Sequence, residues 1–227
     1  MGQVLRFILT SAALTLSLAQ TATAQDRDTA YVVTYIEVAP SATAQAAALL
    51  TAFAEASRGA DGNIQFQALQ RIGRSSHFAM LGTWRNAEAQ DAHARSAAAA
   101  RFRDALEPLL YSPVDVRVHG DLVTAAGGTV GPAGVFAVTH VDVTPNNTDQ
   151  AVELLQALAS ASRVESGSVR FDVMVQANRR NHMTVVETWE SRESRDAHYG
   201  ADHTKTFRGS LFPLSGALYD ERLYQAL

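Results

Sequence analysis

Apolar and polar positions alternate along the chain with two periods, one typical of strands and one of helices. Tyr31 to Val38 is rich in β-branched and aromatic residues and predicts a strand that ends before Pro40. The apolar residues that follow recur at the spacing of one buried helix face: Ala46, Leu49, Leu50 and Phe53. Further strands are predicted over 64–68, 77–84 and 114–118, with a second helix between about Ala87 and Pro108.

The same order of elements returns 105 residues later, after a Gly-rich segment without periodicity. The matching residues keep this spacing without a gap: Pro40 and Pro145, Gly62 and Gly167, Trp84 and Trp189, His93 and His198, Phe102 and Phe207. Identity at roughly thirty of about ninety aligned positions indicates an internal duplication. We predict a first repeat over residues 31–120, a linker over 121–134 and a second repeat over 135–227.

Each repeat has the order β-α-β-β-α-β, which is the ferredoxin-like arrangement of the α+β class. Helices cover one face of such a sheet, and the other apolar face must also be buried. Two sheets in one chain can bury these faces against each other. The sequence therefore predicts two ferredoxin-like repeats packed sheet to sheet as one closed α+β barrel.

Composition narrows the classes of function. The net charge of −4 and the pI near 6.0 provide no basic face, which argues against a nucleic-acid partner. The chain has no cysteine, which excludes disulfides, thiolate catalysis and iron–sulfur clusters.

The first 24 residues have the three parts of an export signal. Arg6 gives a positive start, residues 7–18 form a short apolar run, and Ala22-Thr23-Ala24 is a small-residue cleavage pattern. A membrane anchor is the alternative interpretation, but the run is shorter than the roughly 20 residues of a membrane span. We expect cleavage after Ala24, a periplasmic or secreted protein, and no membrane part after cleavage.

The second repeat contains a recognisable order of residues: Gly167, Phe171, Glu187-x-Trp189 and His198-x4-His203. This order resembles the antibiotic biosynthesis monooxygenase family. The resemblance implies a dimeric α/β barrel of ferredoxin-like units, here built within one chain, and leaves open whether chains associate further. It also implies oxidation of a small phenolic or quinol-type aromatic by O2 without a cofactor. Related barrels degrade haem with a polar residue, usually asparagine, at the position of Tyr35 and His140, so haem degradation is not expected.

Candidate site residues follow from this resemblance and from strand spacing. Glu187 and Trp189 are two apart on a predicted strand and share one face. Glu187 or His203 is a candidate base and His198 a candidate donor. Candidate substrate-binding residues are Trp189 and Phe171, their counterparts Trp84 and Phe66, and His93, His140 and Tyr35. Gly82 and Ala98 replace Glu187 and His203 in repeat one, so repeat two is the expected site if only one is active.

Each candidate also has a purely structural interpretation. The tryptophans could be core residues, because aromatic side chains dominate core burial. Glu187 could pair with Arg163 or Arg170 and stabilise only the fold. His93 and His198 could be helix-end residues bonded to the backbone.

No metal site is expected from the histidine spacing. His198 and His203 are five residues apart, and on one helix they would be separated by about 140°. No third ligand converges with them in the sequence.

The leading hypothesis is therefore a cofactor-independent monooxygenase whose partners are a small aromatic substrate and O2. The alternative is a non-catalytic barrel that binds a small ligand or a partner.

Overall fold

The computed structural model describes residues 29–125, 128 and 130–227, so the predicted export signal lies outside the described residues. Repeat one consists of β1 (Ala30–Glu37), α1 (Thr43–Arg58), β2 (Asn63–Arg71), β3 (His77–Trp84), α2 (Ala87–Ala94), α3 (Ala97–Leu106) and β4 (Asp115–Val123). Repeat two consists of β5 (Val135–Asp142), α4 (Thr148–Ser162), β6 (Ser168–Gln176), β7 (Arg179–Trp189), α5 (Arg192–Gly200), α6 (Asp202–Leu211) and β8 (Asp220–Ala226). β4 extends three residues into the predicted linker.

The eight strands form one closed antiparallel barrel in the order β1-β3-β2-β8-β5-β7-β6-β4. Each repeat contributes four neighbouring strands. The repeats join where β2 pairs with β8 and where β4 pairs with β6. The predicted fold class, two ferredoxin-like repeats closed into a barrel within one chain, is confirmed.

Alternation along each strand divides the apolar residues between two faces of the barrel. On β1, Tyr31 and Val33 point into the barrel, where they pack with residues of both repeats such as Phe136 and Tyr224. Val32 and Ile36 instead face the helices of repeat one. The described residues therefore form three cores, one inside the barrel and one between sheet and helices in each repeat.

The predicted second helix of each repeat is wrong, because two shorter helices replace it. In repeat one, the Ser96 hydroxyl accepts a hydrogen bond from the backbone N–H of Ala99 and so begins α3 separately from α2. In repeat two, α5 ends at Gly200 and α6 begins at Asp202, with extended backbone at Ala201 between them. This break changes the direction of the chain between His198 and His203.

Gly62 and Gly167 hold equivalent positions before β2 and β6. Both have positive φ, 73° and 77°, a backbone conformation that favours glycine. A side chain at Gly62 would also come within 2.5 Å of Cβ of Ala89, at the start of α2. The two glycines thus allow the site helices to pack closely on the sheet. Within the described part of the chain, no helix is long and apolar enough to cross a membrane.

Candidate functional site

The candidate sites lie between the outer face of the sheet and the helices, one in each repeat. In repeat two, β7 supplies Trp189 and α5 supplies His198, and their rings stack with centroids 4.7 Å apart. Phe171 of β6 meets the same imidazole edge-on at 5.8 Å. Trp189 and Phe171 are fully buried, so the structure brings three of the predicted site residues together away from solvent.

Glu187 lies beside these rings and is only 3% exposed. Its Oε2 accepts a hydrogen bond from Nε1 of Trp189 at 2.8 Å and lies 3.8 Å from Nε2 of His198. Burial raises the pKa of Glu187, while His198 and the indole N–H act in the opposite direction. The carboxyl group is thus held by the indole N–H, with the imidazole of His198 as its titratable neighbour.

The predicted arginine partners of Glu187 are wrong. The Nε of Arg163 donates to the backbone carbonyl of Phe171 at 3.0 Å. Arg170 forms an ion pair with Asp172. Both side chains are therefore engaged with β6 rather than with Glu187.

Glu165 joins the two histidines and was missed by the sequence prediction. Its Oε1 lies 2.6 Å from Nδ1 of His198 and 2.9 Å from Nε2 of His203. Because a carboxylate only accepts hydrogen bonds, both ring nitrogens act as donors in this arrangement. Glu165 follows the end of α4, and the break between α5 and α6 turns both histidines toward it. The expectation that no third group converges on the histidines is therefore wrong.

Repeat one keeps the aromatic part of this arrangement without the carboxylates. Trp84 lies 4.3 Å from His93 between ring centroids, and Phe66 lies 6.2 Å from Trp84. Since residue 82 is glycine, the indole nitrogen of Trp84 lies 2.9 Å from where a Cβ would be. Repeat one thus has no carboxylate at the position of Glu187.

The proton positions on His93 follow from its neighbours. Ser57 Oγ donates to the carbonyl of Phe53 at 2.7 Å and lies 3.0 Å from Nε2 of His93. Because the hydroxyl hydrogen is already used, the oxygen accepts from Nε2–H, and Nδ1 is the proton-accepting nitrogen of the neutral ring. Burial lowers the pKa of His93, which keeps the imidazole neutral near pH 7.

Repeat one contains an apolar cavity of about 200 Å³ beside this histidine. Its walls include Phe53, Phe66, Trp84, His93, Phe102 and Val114. Four of the equivalent positions in repeat two carry larger side chains: Arg195 for Gln90, Tyr199 for Ala94, Tyr219 for Val114 and Glu221 for Val116. Four others carry smaller ones: Ala137 for Val32, Val141 for Ile36, Leu158 for Phe53 and Val185 for Met80. Arg208 holds two of the larger side chains, because it binds Glu221 at 2.8 Å and lies 3.8 Å over the ring of Tyr199.

A second, more open groove of about 320 Å³ lies on the other side of His93. Ala60 and Ala98 line it at the positions of Glu165 and His203. His93 therefore separates an apolar cavity from a groove at the surface.

Tyr35 and His140 lie away from these sites, so their predicted place beside the tryptophans is wrong. Both face the opposite side of their strands, since Tyr35 alternates with Thr34 and Ile36, which line the cavity. Tyr35 lies between the guanidinium groups of Arg117 and Arg222, at 5.1 and 5.0 Å from its ring. His140 contacts His182, with 3.2 Å between ring nitrogens.

The sequence prediction therefore found the rings but missed several of their neighbours. Phe53 was assigned only to a buried helix face and Phe102 was noted only as a match of Phe207, although the two rings stack at 3.9 Å beside His93. Val114, Ser57 and Glu165 were not selected. Unequal residues at equivalent positions, Ala60 and Glu165 or Val114 and Tyr219, were the signal that could have identified Glu165 and Val114; Ser57 has an identical counterpart in Ser162.

These observations define a class of protein: a tandem α+β barrel with two unequal sites. One chain forms the barrel from two ferredoxin-like repeats, and in each repeat an indole and an imidazole stack between the sheet and the helices. The chain belongs to the antibiotic biosynthesis monooxygenase family, whose pattern matches residues 29–105 and 134–210. No curated protein matches the chain.

Several solved structures share the whole tandem fold. A candidate monooxygenase from Fusobacterium nucleatum has a TM-score of 0.80 at 13% identity, over 88% of this chain and 93% of that chain. A candidate monooxygenase from Lactobacillus acidophilus gives 0.72 at 13% identity, over 88% and 94%. An anthrone oxidase-like protein gives 0.69 at 15% identity, over 89% and 92%. At these identities the likeness concerns the fold alone.

Proposed function

We propose that this protein is a cofactor-independent monooxygenase that oxidises a small phenolic or quinol-type aromatic with O2 outside the cytoplasm. The observation that carries the proposal is the aromatic-walled cavity of repeat one with a neutral histidine at its wall. Membership of the monooxygenase family and the export pattern of residues 1–24 support it.

The cavity suits a flat, apolar substrate. An apolar cavity of about 150 Å³ is large enough for benzene, so 200 Å³ accommodates a substituted single ring. Trp84, Phe53 and Phe102 offer ring faces and edges for stacking with such a substrate. Exclusion of water from this space also favours electron transfer from an anionic substrate over its reprotonation.

His93 is the proposed base in repeat one. Its Nδ1 accepts the phenolic proton, and the positive charge that develops is stabilised by the hydrogen bond from Nε2–H to Ser57. The imidazole also borders the open groove, which gives the proton a route to solvent. A neutral histidine near pH 7 is suited to this step.

The redox chemistry requires only the substrate and O2. The deprotonated phenol transfers electrons to O2, and a new carbon–oxygen bond forms at an activated ring carbon. One oxygen atom stays as a carbonyl of the quinone product. The other leaves as water with two hydrogens of the substrate. The substrate supplies all four electrons of the O2 reduction: two reduce the oxygen atom that leaves as water, and two reduce the atom that becomes the carbonyl.

Glu187, His198 and His203 remain the candidate acid–base residues of repeat two. Their contacts support proton exchange, since the buried carboxyl and Nε2 of His198 lie 3.8 Å apart. In repeat two, however, the ring of Tyr219 packs against Phe207 at the position of Val114, which lines the cavity of repeat one. Repeat one is for this reason the proposed location of the substrate.

The test is oxygen consumption with a panel of phenols, hydroquinones and anthrones, with 18O2 and mass spectrometry to follow the transferred atom. We expect one labelled oxygen in the product. His93→Gln should reduce kcat by about 10²–10⁴-fold, as for loss of a general base. Glu187→Gln is the comparison variant in repeat two and should leave turnover unchanged. Turnover that survives His93→Gln but is lost in Glu187→Gln would place the reaction in repeat two.

A binding barrel without catalysis is the second candidate function. The cavity favours it in one respect, because His93 and Arg103 are its only ionisable wall residues among the described part of the chain. A phenol that binds and raises Tm without any O2 consumption would favour this alternative.

A further inference from the structure

Three potential metal ligands converge in repeat two, apart from the cavity of repeat one. Glu165, His198 and His203 each offer one ligand atom, and these atoms lie within 4.8 Å of one another. Two imidazoles and a carboxylate are a donor set typical of zinc and related divalent transition metals. We propose that these three residues bind one divalent transition-metal ion of the zinc class.

The geometry needs little change to accept an ion. Oε1 of Glu165 is 2.6 Å from Nδ1 of His198 and 2.9 Å from Nε2 of His203. Zinc–ligand bonds of about 2.1 Å at tetrahedral angles put ligand atoms roughly 3.3 Å apart. Each histidine nitrogen must therefore move less than about 1 Å away from Oε1 of Glu165. The side chains of Glu165 and His203 are 19% and 33% exposed, so an ion can reach them and keep a water molecule in the fourth position.

The surroundings of His198 match those of a metal-binding histidine. Trp189 stacks on its ring, and Oγ1 of Thr204 lies 3.4 Å from its Nδ1. Its other nitrogen, Nε2, points toward Oε2 of Glu187 at 3.8 Å. Histidines that bind a metal through one nitrogen usually donate from the other to a carboxylate or carbonyl. Glu187, anchored by the indole of Trp189, is positioned for this role.

Repeat one shows that the fold does not need the carboxylate and the second histidine. It keeps His93 and Trp84 but has Ala60 and Ala98 at the positions of Glu165 and His203. The two alanines leave a groove, and the sheet and helices around them are the same. The acidic and basic groups of repeat two therefore have a role other than folding.

A second cluster, formed by His140, Asp142 and His182, is less suited to an ion. His182 uses Nδ1 toward His140 at 3.2 Å and Nε2 toward Asp142 at 3.6 Å, so its two nitrogens face different partners. In the proposed site, by contrast, Oε1 of Glu165 lies within hydrogen-bond distance of both histidines. Burial and the positive charge of Arg117 also lower the pKa of His140 to about 4, which marks a site unfavourable to cations.

The experiment is zinc titration of untagged, chelator-treated protein by isothermal calorimetry, with Co2+ absorption as a second readout. We expect one equivalent bound by the unaltered protein. Glu165→Ala and His203→Ala should each bind at least about tenfold more weakly, since even loss of a supporting residue has an effect of this size. Both variants carry the residue found in repeat one, and far-UV circular dichroism verifies their folding.

Two histidine variants serve as controls. His93→Ala removes the counterpart of His198, and His182→Ala disrupts the other cluster; both should bind zinc as the unaltered protein does. The proposal is overturned if the unaltered protein binds zinc no more tightly than Glu165→Ala and His203→Ala. It is equally overturned if His182→Ala abolishes binding. Because binding is measured without substrate, failure here leaves the proposed oxidation in repeat one unaffected.

Discussion

Replacing Val114 with tyrosine would place a phenol ring in the cavity of repeat one, as Tyr219 does at the equivalent position of repeat two. In repeat two this ring packs 6.3 Å from Phe207 and lies beside Arg208. The equivalent neighbours in repeat one are Phe102 and Arg103, both of which line the cavity. Because the same fold already accommodates a tyrosine at the equivalent position, Tyr219, we expect Val114→Tyr to fold.

The expected loss of phenol affinity follows from the surface that a ring buries in the cavity of repeat one. A buried aromatic ring removes roughly 150 Å² from water, which at about 25 cal/mol per Å² amounts to about 4 kcal/mol. Association entropy offsets part of this free energy for a free ligand. Half of it, about 2 kcal/mol, corresponds to about 30-fold in Kd. Since a one-ring ligand and the new tyrosine compete for about 200 Å³, Val114→Tyr should weaken phenol binding at least about 30-fold.

The assay is calorimetric titration with phenol under nitrogen, supported by quenching of tryptophan fluorescence, because Trp84 lines the cavity. Val164→Tyr is the matched control, since Val164 is 85% exposed and the same atoms are added there. This control should bind phenol as the unaltered protein does. If folded Val114→Tyr binds phenol with unchanged Kd, the ligand does not occupy this cavity and the proposed location of the substrate is wrong.

Three further predictions concern stability and are measured by urea unfolding. Burial raises the pKa of Glu187, so its ionisation costs stability as pH rises from the unfolded value of about 4.3 through the folded value. Glu187→Gln should therefore be more stable than the unaltered protein at pH 8, and equal stability would contradict this. Tyr219→Val should cost about 2–4 kcal/mol through the space it opens; a loss below 1 kcal/mol would mean that the ring is poorly packed. Burial, with Arg117, lowers the pKa of His119 to about 4, so the unfolded chain binds its proton first as pH falls from about 6.5. Stability should fall by about 3 kcal/mol between pH 6.5 and 4, and His119→Gln should remove that part of the loss.

The fold was predictable because the duplication and the strand alternation both indicated two sheets that pack against each other within one chain. A sheet with two apolar faces needs two layers to cover it, and one chain with two such sheets has a simple way to provide them. The helix break was not predictable from periodicity, because Ala99, Phe102 and Leu106 continue an apolar stripe from the first half. Ser96, a preferred residue at helix starts, was the local signal for the break.

The candidate site was only partly predictable, since its neighbours come from distant parts of the chain. Glu165 reaches His198 across 33 residues, through a contact that depends on where α4 ends against α5. Tyr35 was misplaced because its face depends on the register of β1 with β3, where it pairs with Ala79 rather than with a cavity residue. Such contacts depend on packing rather than on local sequence pattern.

Several differences between the repeats lie around the tryptophan and histidine rings that both repeats contain. Substitutions that serve packing alone tend to conserve volume. Here Gly82 corresponds to Glu187, Val114 to Tyr219 and Ala98 to His203. The tryptophan and the first histidine are present in both repeats. Every one of these changes makes repeat one smaller and repeat two larger and more polar. At other wall positions the larger side chain lies in repeat one, as with Phe53 and Leu158 or Met80 and Val185. The duplication has thus given one repeat an open apolar cavity and the other a polar cluster suited to protons or an ion.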